Sequence, residues 1–165
     1  MLNELDDYET FLTTVNEDVP IYEVDLYNKT GCYGLYRNGK IYIEKTLDKR
    51  AKKCILAEEY GHYKTSAGTI LNQNITENRK QEKKARNYAF ERLVSLEDLI
   101  RCSEAGLTTH FACAEFLGVD TQTLRNVIAY FYEKYGTTHF YKGRIFKFTD
   151  TSVMILNTGL TQPPN

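Results

Sequence analysis

The chain has 165 residues, 42% hydrophobic and 26% charged, with a formal net charge of -1 and a pI near 6.3. That length suits one domain, or one domain with a small appendage, and lets roughly two-thirds of the unfolded surface be buried. The charge balance excludes a global basic footprint for nucleic acid, and no apolar run reaches the roughly 20 residues that span a bilayer. The N-terminal MLNELDDYET is acidic and lacks the basic-then-apolar order of a signal peptide. Cys32, Cys54, Cys102 and Cys113 are scattered without a C-x-x-C pair. They are expected to be reduced, buried thiols in a cytoplasmic protein. The 13 tyrosines, against 8 phenylalanines and no tryptophan, are read first as core packing.

Residues 4–16 predict a short helix closed before Pro20. The stretch IYEVDLYNKTGCYGLYRNGKIYIEK alternates apolar and polar residues, and its Asn38-Gly39 dipeptide supplies the positive φ angles of a tight hairpin. Strands are expected near 21–27, 32–37 and 40–45. At Thr46, a cap-type residue, the period changes, and one helix is predicted over 47–65. A loop follows to about residue 77. The next helix, 78–94, carries an apolar stripe of Ala85, Tyr88, Ala89 and Leu93, with Glu82 three residues before Ala85 on the same side. SLEDLIRCSEAG reads as a capped helix ended by Gly106. Two helices joined by LGVD come next, then a hairpin turning at Lys142-Gly143, and TGLTQPPN reads as a disordered tail.

The chemistry gathers in LAEEYGHYK at 56–64. On a helix Glu58 and His62, four apart, project side by side as two ligands of one ion should. Glu59 is rotated off that face, where a carboxylate reaches a water without binding the ion. This is the logic of H-E-x-x-H in zinc proteases, here with Glu in place of the first His. Gly61 removes a side chain beside the ligand turn and lets another backbone or a substrate approach. A carboxylate binds zinc, but its charge lowers the Lewis acidity of the ion and favours harder metals such as manganese. A catalytic site needs a third ligand, and Glu82 is the candidate; on spacing alone it serves equally well as a partner for Arg79, Lys80, Lys83 and Lys84. A solvated charged helix face is the plain alternative for the whole pattern.

Three features together resemble the ImmA/IrrE family of metallopeptidases, found in phages, mobile elements and bacteria. They are the hairpin GLYRNGKIYIEK leading into LAEEYGHY, the E-x-x-A-x-N-Y-A run from Glu82 to Ala89, and the downstream AEFLGVDTQTLRNVIAYFYEKYG. The family usually shows H-E-x-G-H, so Glu58 stands where its first His stands. The resemblance implies an α+β fold. A zincin-like core of a small sheet and active-site helix would occupy 1–94, and a helical, helix-turn-helix-like module with a short β ending 95–165. It implies Glu59 as general base and His62 and Glu82 as ligands beside Glu58, holding Zn2+ or Mn2+. It also implies a helix-turn-helix repressor as substrate, whose cleavage derepresses a phage or mobile element. The strand at 40–45 is expected to act as an edge platform, with Ile41, Tyr42 and Ile43 pairing with an extended substrate.

The alternative function is a binding module that keeps the fold, has lost the chemistry and docks a repressor-like partner. AEFLGVDTQTLRNVI also resembles the turn and recognition helix of a DNA binder. Residues 96–165 carry six Lys/Arg against seven Asp/Glu, however, so DNA is not the expected partner. Cys54 extends the Glu58–His62 face, but residues eight apart lie roughly 12 Å apart along the axis and do not converge on one ion. His110 and His139 have no partner at ligand spacing and are read as structural. Tyr60 and Tyr63 flank the site as packing residues or hydrogen-bond donors.

Overall fold

The structure is a computed structural model that describes residues 7–66 and 75–160. It is a mixed α+β chain divided into two compact units, Met1–Leu93 and Val94–Asn165. Among the described residues no helix is long and apolar enough to cross a membrane.

The first unit opens with α1 (Asp7–Asp18), followed by β1 (Ile21–Val24) and a four-residue helical turn, α2 (Tyr27–Thr30). The hairpin β2 (Gly34–Arg37) and β3 (Lys40–Glu44) leads into α3 (Lys49–Thr65), and α4 (Ile75–Leu93) closes the unit. Asn38 and Gly39 both take positive φ, 52° and 71°, as the hairpin turn requires. Asp48, not Thr46, caps α3, accepting from the Ala51 N–H at 2.8 Å. One face of the sheet is covered by α1 and α3, where Val15, Val19, Ile41, Ile43, Leu56 and Tyr60 form the core. On the other face Tyr22 and Tyr42 stack at 5.7 Å.

The strand order is β1-β3-β2, with β1 parallel and β2 antiparallel to β3. This corrects the expected edge platform: β3 is the central strand, with both of its sides taken by neighbours. Ile41 and Ile43 are fully buried in the core, and Tyr42 lies between Tyr22 and Leu35 in register. None of the three can receive an added strand. The edge beside α3 belongs to β2.

The strand expected at 21–27 stops at Val24, because a buried carboxylate captures the chain beyond it. Glu44, 2% exposed, accepts the N–H groups of Leu26 (2.8 Å) and Tyr27 (2.7 Å), and the N–H and hydroxyl of Thr46 (3.0 and 2.9 Å). These bonds, with the Tyr27 N–H foremost and the Thr46 N–H next, hold its pKa at about 2 against an ordinary 4.5. A depressed carboxylate stabilises the fold above its unfolded value and loses that contribution as pH falls from about 4.5 to about 2. Glu44→Gln strands these donors and is expected to lower the thermal midpoint at neutral pH by at least ~5 °C. Calorimetry from pH 7 to 2 should show the wild-type midpoint falling more steeply than the variant's across the acid window; parallel curves would refute this account.

The second unit holds α5 (Leu96–Glu104), α6 (His110–Leu117) and α7 (Thr121–Tyr135), then the antiparallel sheet of β4 (Thr138–Tyr141), β5 (Arg144–Phe148) and β6 (Val153–Asn157). Ser95 and Asp98 close a capping box on α5, and Gly118 takes a left-handed conformation between α6 and α7. The expected hairpin at Lys142-Gly143 is present and extends to a third strand. Leu124, Val127, Ile128, Phe131, Phe146 and Phe148 are buried, with Phe131 and Phe148 rings 6.2 Å apart. The expected tail at 158–165 is described only to residue 160; its last five residues lie outside the described range. The four cysteines are free thiols, but only Cys102 is buried: Cys54 and Cys113 are half-buried and Cys32 is exposed.

Candidate metal centre

Helix α3 supplies Glu58, Glu59 and His62, and α4 supplies Glu82. The two helices cross closely at Gly61, where an added Cβ would collide with the backbone carbonyl of Ala85. Ala85 and Ala89 are buried, so small residues on both helices allow the approach. One turn before Ala85 this geometry brings the Glu82 Oε2 to 3.6 Å from the His62 Nε2. Glu58 completes the cluster: one ligand atom from each of the three lies within 4.8 Å of the others. A tetrahedral ion with bonds of about 2.0–2.2 Å spaces its donors by roughly 3.3–3.6 Å, so small side-chain rotations suffice to close the set. Two carboxylates and one imidazole suit zinc and harder divalent ions.

Glu59 stands apart from the three ligands, against β2. Gly34 leaves room for it, since a Cβ there would sit 2.8 Å from the Glu59 Oε1 and would also strike Ile55. The Tyr36 N–H donates to the Glu59 carboxylate. Burial foremost, and then the charges of Glu58 and Glu82, push the Glu59 pKa up to about 7, while the Tyr36 bond pulls the other way.

A family model for the IrrE N-terminal-like domain, peptidase M78, matches residues 15–128. The chain belongs to the M78 peptidase family. No curated protein and no solved structure gives a significant match. The M78 match covers all four of Glu58, Glu59, His62 and Glu82 and implies a metallopeptidase-type domain with a metal cofactor.

Other candidates are placed elsewhere by the M78 chain. Cys54 is not part of the ligand cluster. The Tyr60 hydroxyl is turned away from the cluster and donates to Asp18 at the end of α1, where Lys64 also pairs at 2.7 Å. The Tyr63 hydroxyl points to the Asp18 carbonyl at 3.4 Å, and its ring meets Tyr36 edge-on. Both tyrosines therefore pack α3 onto its neighbours. His110 bonds the Thr151 carbonyl through Nε2 at 2.8 Å, and His139 stacks on Tyr135 at 4.0 Å. Arg79, Lys80, Lys83, Lys84 and Arg86 are all exposed, and Lys80 pairs with Glu77 rather than Glu82.

The contribution of β2 to the site does not follow from the helical spacing of the ligands. Tyr33 accepts from the Glu44 N–H, so pairing alternates along the hairpin, and Gly34 and Tyr36 turn their backbone groups to the outer edge of β2, where no further strand pairs among the described residues. The signal available in the sequence was Gly34 itself, an isolated glycine inside a strand, which marks close approach by another group.

Proposed function

We propose that this M78 domain is a metal-dependent endopeptidase that cleaves an extended segment of a helix-turn-helix repressor. The observation that carries this reading is the convergence of Glu58, His62 and Glu82 beside a half-buried Glu59 on the outer edge of β2. A divalent ion held by the three ligands, zinc or manganese, would supply Lewis acidity to the scissile carbonyl and the attacking water. Glu59 accepts the water proton and later returns it to the leaving amine. The substrate lies along β2, pairing with the outward groups of Gly34 and the Tyr36 carbonyl, and this fixes its own scissile carbonyl near Glu59. In this reading the unit is a zincin-like core, and α6 and α7 form a helix-turn-helix-like module that docks protein rather than DNA. The repressor as partner rests on the likeness to ImmA/IrrE peptidases.

Elemental mass spectrometry on untagged protein is expected to find about one equivalent of zinc or manganese in the wild type. His62→Ala and Glu82→Ala should each lose it. Glu58→His restores two imidazoles one turn apart and is expected to raise zinc affinity at least ~10-fold over manganese, read by competition dialysis. The activity is tested by incubating the metal-loaded chain with a purified helix-turn-helix repressor of the phage type, followed by intact-mass analysis. Two fragments whose masses sum to the substrate plus one water support the peptidase. A stable complex without fragments would replace it with the non-catalytic docking module.

A further inference from the structure

The second unit holds a pair of thiols that the metal chemistry does not use. Cys102 lies on the buried face of α5, 3% exposed, and Cys113 lies half-buried on α6. The chain between them doubles back: the Leu107 N–H donates to the Cys102 carbonyl at 3.1 Å, and the Cys113 thiol points at the Leu107 carbonyl from 3.9 Å. Both cysteines are thereby tied to Leu107, and Cys113 lies close enough to act on the Cys102 thiol. Both line one cavity of about 370 Å³, together with Leu99, Leu124, Ile128, Thr109 and His110.

We propose that Cys102 and Cys113 form a reversible intramolecular disulfide when hydrogen peroxide enters this cavity. The division of labour follows from exposure. Cys113, the more accessible sulfur, gives up its proton and attacks one peroxide oxygen; the O–O bond breaks, Cys113 becomes a sulfenic acid, and the departing hydroxide takes up that proton and leaves as water. Cys102 then attacks the sulfenic sulfur, the S–S bond forms, and the Cys102 proton leaves with the hydroxide as a second water. Two thiols are oxidised and one peroxide is reduced to two waters. Burial foremost, and then Cys113 beside it, push the Cys102 thiol up to about 12, which suits a second, resolving thiol and not the first nucleophile. Closing the sulfurs to about 2.05 Å draws α6 towards α5. Helix α6 carries Phe111 and Phe116, 67% and 50% exposed, so the bond sets the position of an exposed apolar surface.

The test uses the reduced full chain, treated with hydrogen peroxide in slight molar excess, then unfolded and alkylated with N-ethylmaleimide. The oxidised species is expected to be ~2 Da lighter before alkylation. It should take two labels where the reduced chain, with four cysteines, takes four. A Cys102–Cys113 linked peptide should be recovered, and dithiothreitol should restore full labelling. Cys102→Ala should give no intramolecular disulfide and should trap Cys113 as a dimedone-reactive sulfenic acid. Full labelling of Cys102 and Cys113 in the treated wild type, or oxidation confined to Cys32 and Cys54, would overturn the proposal. So would a Cys102→Ala chain whose Cys113 stays inert to peroxide.

Discussion

Glu59→Gln is expected to lower the peptidase rate by roughly 10²–10⁴-fold, a loss of about 3–5 kcal/mol of transition-state stabilisation, with the bound metal retained. The two effects separate because Glu59 sits outside the ligand cluster formed by Glu58, His62 and Glu82. Glutamine has the same shape, so it fits beside Gly34, and its amide oxygen can still accept the Tyr36 N–H. It cannot take up the water proton. Removing the carboxylate also removes a negative charge next to Glu58 and Glu82, so the folded chain gains rather than loses stability from the change. Kinetics on the cleaved repressor, beside metal content and a thermal midpoint, check all three statements. Wild-type turnover by Glu59→Gln would remove Glu59 from the mechanism.

Gly61→Ala is expected to weaken metal binding by roughly 10–100-fold and to destabilise the chain by about 1–3 kcal/mol. The added methyl meets the carbonyl of Ala85, which is backbone and cannot rotate aside. Relief requires α4 to move away from α3, and Glu82 moves with it, opening the 3.6 Å approach to His62. Gly106→Ala is the matched control. Gly106 has φ 71° in the second unit with open space around it, so alanine there strains the backbone without touching the site. Isothermal titration with zinc should show the affinity loss for Gly61→Ala alone. Equal affinities in both variants would mean that the close crossing does not position Glu82.

Local chemistry made most of this architecture readable. Asn38-Gly39 marked the hairpin, the Ser95 box and Gly106 bounded α5, and Gly118 separated α6 from α7. The same holds for the site. Glu58, Glu59 and His62 share two turns of one helix, so their mutual placement follows from helical period alone. Glu82 needed the helix crossing, and Gly61 was its trace. Features set by distant partners were not legible. The parallel pairing of β1 with β3 joins residues twenty apart and made β3 central, which removed Ile41, Tyr42 and Ile43 as an edge. The turn at Tyr27–Thr30 exists because Glu44 reaches back across the sheet to its N–H groups. Thr46 bonds to that same carboxylate, which left Asp48 to cap α3.

The close crossing at Gly61 has a consequence for the lifetime of the chain. Helix α4 meets α3 through small residues, Ala85 and Ala89, with Tyr88 against Tyr60. An ion shared by Glu82 on one helix and by Glu58 and His62 on the other would brace the pair, and by mass action a hundredfold excess over its dissociation constant would add about 2.7 kcal/mol. Cofactor and staple are then the same atom. On the proposed reading, a cell short of that ion would hold a looser α4 more open to proteases, and the amount of the protein would follow the metal supply.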